Sequence, residues 1–177
     1  MRQKPYSLNK DKYLLDEEFD YLMGILDHFE AQDTRNVLLL KLALATGARA
    51  TELLNIRVKD LDKKEGSVYI FGIKGSNDRE LPLKKTLFNS LIRHCEKKSP
   101  QDLVFDISYP RLIQIWLMYR PTHKKFHSLR HTFAIRLYKK TRDIRLLQVA
   151  LGHRNIANTM IYADYVYSQQ ELRRLIL

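Results

Sequence analysis

Apolar residues recur every three or four positions along most of this 177-residue chain, and one pair of strand-like runs interrupts the pattern. The helical spacing, clear for example from Asp16 to Phe29, predicts helices that bury one face against a core. The strand-like runs, Ser67 to Phe71 and Arg79 to Leu83, flank a turn that contains Gly72 and Gly75. Such a turn predicts a β-hairpin with an exposed, basic tip. The fold class that follows is mainly α with a small antiparallel β-sheet (α+β).

The remaining helices are predicted from the same spacing and from their end signals. One starts near Thr34, with Asp33 as candidate N-cap and Gly47 as candidate C-cap. The others are Ala50 to Ile56, Leu83 to Lys97, Pro110 to Tyr119, His127 to Lys139, Ile144 to Leu151, Ala157 to Tyr165 and Ser168 to Leu177.

The chain reads as one domain, because no Gly/Ser/Pro-rich linker divides it and no segment repeats. Residues 1–14 are polar and basic, and we expect an N-terminal arm or the stub of a linker. Residues 15–177 form the domain, with an amphipathic tail helix at about 168–177.

The charge of the chain indicates a polyanionic partner. Lys and Arg number 31 against 20 Asp and Glu, which gives a net charge of +11. Charge alone does not choose between nucleic acid and an anionic membrane surface. The longest apolar stretch, Val37 to Ala45, is too short to span a bilayer, and the start lacks a secretory signal. With Cys95 as the single cysteine, these features predict a cytoplasmic protein that does not insert in membranes.

Four scattered residues are candidates for chemistry, although each also has an ordinary interpretation. Arg49 could lie at a helix start on a solvated face, and Lys74 could be a simple turn lysine. His153 could cap a helix end after Gly152, and Tyr162 is one of ten tyrosines, most of which serve packing.

A histidine cluster raises the alternative of a metal site. His123, His127 and His131 are spaced four apart, and two histidines at i and i+4 on a helix can bind zinc. The metalloprotease pattern, however, requires Glu after the first histidine, where this chain has Ser128. Pro121 also argues against a helix that includes His123. We therefore expect no metal at these histidines.

Taken together, these residues fall into ordered blocks that are more specific than any one of them. The blocks are Thr46-Gly47-Ala48-Arg49 with Glu52-Leu53, Ile73-Lys74-Gly75 before Leu81-Pro82-Leu83, His127-x-x-Arg130-His131-Thr132-Phe133-Ala134, and Leu151-Gly152-His153 with Thr159-x-x-Tyr162. Their order and spacing resemble the C-terminal catalytic domain of the tyrosine recombinase (phage integrase) family. The resemblance covers about Leu15 to Tyr165.

The resemblance implies a set of catalytic residues: Arg49, Lys74, His127, Arg130, His153 and Tyr162. The spacing from Gly-His selects Tyr162 as nucleophile over Tyr165 and Tyr167. The arginines suit the non-bridging phosphate oxygens, to which His153 would add a donor. His127 would exchange a proton with the tyrosine or hold it, and Lys74 would protonate the departing 5′ oxygen. Glu52 and His131 would support this set.

By the same resemblance, the fold is the tyrosine recombinase catalytic-domain fold, and the partner is double-stranded DNA. The implied activity is site-specific cutting and rejoining of DNA through a 3′-phosphotyrosyl intermediate, as in an integrase, without a metal or any other cofactor. The tail helix would dock on a neighbouring subunit in a homo-oligomer (tetramer) on DNA, or pack on its own domain. Two alternatives remain, a type IB topoisomerase and a non-catalytic DNA-binding regulator of recombination.

Overall fold

A computed structural model describes residues 8–73, 75–166, 173, 176 and 177 of the chain. The part of the chain described is mainly helical, as the spacing predicts. Its α-helices are α1 (Asp16–Phe29), α2 (Thr34–Thr46), α3 (Ala50–Leu54), α4 (Lys85–His94), α5 (Tyr109–Tyr119), α6 (Ser128–Thr141), α7 (Ile144–Leu151) and α8 (Ala157–Val166). Several of the predicted ends coincide with the observed ones, and the others shift by one to three residues, since fraying and 3-10 turns blur helix ends.

The predicted hairpin forms the larger part of a three-stranded antiparallel sheet. Strands β2 (Ser67–Ile70) and β3 (Arg79–Pro82) pair with Ile70 opposite Arg79 and Val68 opposite Leu81. A further strand, β1 (Leu61–Asp62), pairs with β2 and was not predicted. Two residues are too short to show an alternating pattern, which explains the omission.

Helix α6 lies between two hydrophobic cores and belongs to both. The first core is built by α1 to α5 and the sheet, and it includes Leu129 at the start of α6. The second is built by α6, α7 and α8, and it includes Ala134 and Ile135 from the middle of α6. Because apolar groups bury both sides of α6, the helix is held firmly at the boundary between the two cores.

Left-handed glycines end two helices that lead into candidate residues. Gly47 follows α2 with φ +59°, and Gly152 follows α7 with φ +67°. Gly47 therefore takes the predicted C-cap position, because glycine adopts this conformation without steric cost. Asp33 does precede α2, but its carboxylate caps no backbone N–H and instead accepts from the Asn36 and Tyr119 side chains.

The N-terminal prediction needs a correction for residues 8–14, which pack against the body of the domain. Leu8, Tyr13 and Leu14 are buried, and the Leu14 amide donates to Oγ1 of Thr132 in α6 over 2.8 Å. The sequence did not indicate this burial, because Lys10 and Lys12 lie between the apolar residues and no regular apolar spacing results. Most of the predicted tail helix at 168–177 lies outside the described residues. No helix within the described ranges is long and apolar enough to cross a membrane.

Candidate active site

Arg49 stands at the entrance of α3, directly after the left-handed turn at Gly47. Its backbone amide donates to Oε2 of Glu52 over 2.9 Å, and its Nη1 donates to Oε1 of the same carboxylate over 3.0 Å. Nη1 also contacts Oγ of Ser76 in the hairpin turn. About a third of the Arg49 side chain, 34%, is exposed, so the guanidinium is fixed on one side and open on the other.

Glu52 is the acidic centre of the site. It is buried, and Nη2 of Arg79 donates to its Oε2 over 2.8 Å. Burial by itself raises the pKa of Glu52, but the hydrogen bonds from Arg79 and from the Arg49 amide, with the charges of Arg79 and Arg130, bring this pKa below its ordinary value. Glu52 is therefore ionised at neutral pH, and it lies beside Arg49, where its supporting role remains a prediction.

Arg130 lies in the first turn of α6 and forms hydrogen bonds to the segments that follow α2 and end α7. Its Nη1 donates to the carbonyl of Gly47 over 2.6 Å, and its Nη2 donates to the carbonyl of Leu151 over 2.8 Å. Burial and the charge of Arg49 lower the pKa of Arg130 to about 10, so the group keeps its charge at neutral pH. Arg130 is thus a buried guanidinium, whereas Arg49 is about one third exposed.

His153 lies beside Arg130 and is held in one orientation. Its Nε2 is 3.0 Å from Nη2 of Arg130, and its Nδ1 is 2.9 Å from Oγ1 of Thr159, which is fully buried. A guanidinium only donates, so Nε2 accepts and Nδ1 carries the proton. Burial and the charges of Arg130 and Arg49 lower the pKa of His153 to about 4. Without DNA, His153 is therefore neutral and its Nε2 is an acceptor.

Tyr162 is bonded to His131 rather than to His127. The Tyr162 hydroxyl is 3.0 Å from Nδ1 of His131, and the tyrosine is only 2% exposed. Burial and the charge of His127 lower the pKa of His131 to about 3, so its ring is neutral. The sequence assigned the tyrosine contact to His127, whose ring packs 4.8 Å from that of His131. His131 is thus the residue that links the predicted nucleophile to α6.

His127 itself lies at the N-cap position of α6, on the exposed side of the site. Partial desolvation and the charges of Arg130 and Arg49 lower its pKa. His127, Arg130 and His131 occupy one turn of α6, and they join the arginine cluster to the tyrosine. Of the two other tyrosines considered, Tyr165 shares a hydrogen bond of 2.9 Å with Tyr13, and Tyr167 lies outside the described residues.

Lys74 lies outside the described residues, but the rest of its turn reaches the site. Ser76, two positions further along, contacts Arg49 and forms an isolated β-bridge with His153. The Asn77 amide donates to the carbonyl of Gly152 over 2.8 Å. A Cβ on Gly152 would lie 2.6 Å from the Asn77 carbonyl oxygen, which explains why glycine is needed there. The hairpin is therefore docked on the Gly152-His153 turn.

The histidine cluster does not assemble into a metal-binding group among the described residues. His123 accepts from the Arg120 guanidinium through Nδ1 and lies outside α6, as Pro121 suggested. His131 is engaged with Tyr162. Over the ranges described, no group of three or more His, Cys, Asp or Glu side chains is placed to hold a metal ion.

Three residues of the active site were assigned no role from the sequence: Ser76, Arg79 and Thr159. Arg79 did carry a readable signal. It alternates with Glu80 and shares a phase with Leu81, so a strand with one buried face places a charge on that face. Ser76 is a small polar residue in a turn, and no pattern distinguishes it from others. Thr159 belongs to the Thr159-x-x-Tyr162 block, but spacing alone does not show that it contacts His153.

The chain matches a known protein family over most of its length. The pattern of the family described as "Phage integrase family" matches residues 12–169. The chain belongs to this family. A tyrosine recombinase XerC from Staphylococcus epidermidis is 30% identical to it, in a match that covers 95% of the chain and 62% of the relative.

Solved structures of the phage integrase family share the fold. The XerH site-specific recombinase bound to its difH substrate, in a pre-cleavage complex, superposes with a TM-score of 0.75 at 27% identity. That match covers 99% of this chain and 56% of XerH. The catalytic domain of bacteriophage HP1 integrase has a TM-score of 0.67 at 24% identity, with 90% of both chains covered, and shows the fold. The chain spans less than two thirds of the XerC and XerH relatives.

Proposed function

We propose that this chain is the catalytic part of a site-specific DNA recombinase that cuts and rejoins DNA through a 3′-phosphotyrosyl bond on Tyr162. The observation that carries the proposal is the joint position of Arg49, Arg130 and His153. Tyr162, which belongs to α8, is hydrogen-bonded to His131, the residue after Arg130 in α6. Family membership supports it, since the XerC and XerH relatives are named recombinases and XerH is bound to DNA.

The two arginines supply the charge that the reaction needs. As the tyrosine oxygen attacks phosphorus, negative charge grows on the non-bridging oxygens, and forked guanidinium donors match those oxygens. Arg49 offers its exposed side to them. Arg130 donates three N–H groups to Gly47, Leu151 and His153. A guanidinium has five N–H donors, so two have no partner among the described residues and can bind phosphate.

The proton transfers are assigned to histidine and lysine. The Tyr162 hydroxyl loses its proton as the O–P bond forms, and neutral His131, which contacts it, or the neighbouring His127 accepts that proton. The bond from phosphorus to the 5′ oxygen breaks, and Lys74 protonates that oxygen. A bound phosphate places negative charge beside His153, which raises its pKa and favours a form that can donate through Nε2.

The same proposal extends to metal dependence, oligomeric assembly and localisation. Because Arg49 and Arg130 provide fixed positive charge, the reaction is metal-independent. The partner is double-stranded DNA, which suits a net charge of +11. The protein acts in the cytoplasm, associated with DNA, as a homo-oligomer joined through the tail at about 168–177.

A suicide substrate tests the function directly. A duplex nicked near the cleavage position loses a short fragment after attack, so rejoining fails and the protein stays linked to DNA on a denaturing gel. Tyr162→Phe removes one oxygen and should abolish the adduct. Tyr165→Phe is the matched control and should keep it. An adduct that survives Tyr162→Phe but disappears in Tyr165→Phe would overturn the choice of nucleophile.

The relaxation of supercoiled plasmid separates the two remaining enzymatic functions. A recombinase should exchange strands between two matching sites, whereas a topoisomerase should relax plasmid of any sequence. Binding to DNA with no adduct from the unsubstituted chain would favour the non-catalytic regulator.

A further inference from the structure

Arg79 is a buried cation inside the sheet and has no role in the chemistry described above. It lies at the start of β3, opposite Ile70 and on the same face as Val68 and Leu81. Only 4% of the residue is exposed. A charged group is costly to bury unless a partner compensates it, so its position on an apolar face calls for a specific partner.

That partner is Glu52, the carboxylate that holds Arg49. Arg79 donates to Oε2 over 2.8 Å, the Arg49 amide donates to the same oxygen, and Arg49 Nη1 donates to Oε1. One oxygen is therefore fixed by Arg79 and by backbone, and the other is free to hold the Arg49 guanidinium. The side chain of Glu52 is fully buried, so its orientation depends on these donors.

Arg79 is poorly satisfied for a group that serves stability alone. Its Nε and Nη1 are buried and have no hydrogen-bond partner within the described part of the chain. A buried donor without a partner has lost its hydrogen bonds to water and gains none in the protein, which lowers the free energy of unfolding. Arg79 also lies under the turn before His153, since a Cβ on Gly152 would come within 3.0 Å of its Nη1. The position of Arg79 therefore serves the geometry of the site, while its unpaired donors lower the stability of the fold.

We propose that Arg79 is a positioning residue that fixes the Arg49 guanidinium for phosphate binding by orienting Glu52. The inference rests on the proposed function. It predicts that loss of Arg79 reproduces, in weaker form, the loss of Arg49. Misplacing a catalytic group by about 1 Å costs on the order of 100-fold in rate, which is the defect expected for Arg79→Met.

A change in substrate charge separates this role from general damage to the fold. When methyl replaces one non-bridging oxygen, the scissile phosphate is neutral and depends much less on an arginine. Adduct formation should therefore be slowed by about 100-fold in Arg79→Met on native DNA. On the neutral substrate the gap to the unsubstituted chain should shrink to less than about tenfold. Arg49→Ala should show the same relief, from a larger initial defect.

The matched control removes a different cation, which is largely buried and bonds two carboxylates. Lys41 in α2 binds Asp27 and Glu30, and only 12% of its side chain is exposed. Lys41→Met should form adducts at the unsubstituted rate on both substrates. If Arg79→Met does not fold, Arg79→Lys, which keeps the charge but not the fork, should give a smaller defect with the same relief.

Two outcomes would overturn the inference. One is equal impairment of the Arg79 variants on native and neutral substrates, which would mean that they do not act through Arg49. The other is an Arg79 variant that cleaves native DNA as fast as the unsubstituted chain. Failure of the unsubstituted chain to form any adduct would overturn the proposed function itself, and this inference with it.

Discussion

Arg130 donates a hydrogen bond from Nη2 to Nε2 of His153 over 3.0 Å, and this contact fixes His153 as an acceptor. Thr159 fixes the other ring nitrogen at 2.9 Å. The ring lies among three positive charges, Arg130, Arg49 and Arg79, with Glu52 as the opposing carboxylate. Because these surroundings disfavour imidazolium, the folded protein holds His153 neutral, with consequences for its stability at low pH.

The first prediction is a loss of stability between neutral and mildly acidic pH. The pKa of His153 is about 4 in the folded protein, against an ordinary value of 6.5. Between these values the unfolded chain binds a proton that the folded chain does not, so unfolding becomes easier as pH falls. From pH 7 to pH 5 this group should lower the free energy of unfolding by on the order of 2 kcal/mol.

Urea denaturation of His153→Gln at both pH values checks this. Glutamine does not titrate, so the variant should lose less stability on acidification by about that amount. His131, with a pKa of about 3, adds a similar loss that stays in both proteins and does not affect the comparison. Identical losses of stability from pH 7 to pH 5 in His153→Gln and the unsubstituted chain would contradict a lowered pKa of His153 in the folded protein.

Much of the site was readable from the sequence, for a physical reason. Glycines with left-handed backbone, such as Gly47 and Gly152, directly precede or flank the residues that they position, so the motif and its geometry coincide. The hairpin was readable because its two runs and its turn are adjacent in the chain.

Contacts between segments that are distant in the chain could not be predicted from the sequence. His131 rather than His127 meets Tyr162 because the relative rotation of α6 and α8 decides which face is presented, and spacing along one helix does not contain that information. The burial of Leu8 and Leu14 depends in the same way on how the N-terminal segment packs on the helices.

The second prediction compares two left-handed glycines. Gly152 (φ +67°) would place a Cβ 2.6 Å from the Asn77 carbonyl oxygen, whereas Gly66 (φ +65°) has nothing within 4 Å. Alanine should cost about 1–2 kcal/mol of backbone strain at either position. Only Gly152→Ala should push the hairpin away from His153, with a further loss of stability and slower adduct formation. Thermal melts and adduct rates measure both effects, and equal rates in the two variants would argue against hairpin docking as a requirement.

The third prediction concerns metal. Arg49 and Arg130 are assigned the stabilisation of phosphate charge, so adduct formation should continue at the same rate in excess EDTA. The control is the same chain incubated with added zinc after dialysis. Loss of the adduct in chelator, with recovery on zinc addition, would instead support the histidine-ligand interpretation of His123, His127 and His131.

The last prediction tests Lys74 as the general acid. If Lys74 protonates the leaving 5′ oxygen, Lys74→Ala should slow cleavage by about 100- to 10,000-fold, the usual range for such a group. A substrate with sulfur in place of the bridging 5′ oxygen needs no proton, because a thiolate leaves readily. Lys74→Ala should therefore cleave the sulfur substrate at close to the unsubstituted rate.

The arginine variants provide the control for this rescue. Arg49→Ala and Arg130→Ala should gain little from the sulfur substrate, since both groups are assigned to the non-bridging oxygens, which that substitution leaves unchanged. The rescue should thus be specific to the leaving group. If Lys74→Ala is equally impaired on both substrates, Lys74 only contacts a phosphate from the hairpin turn. Another donor must then reach the 5′ oxygen, and His127, exposed at the edge of the site, would be the next residue to substitute.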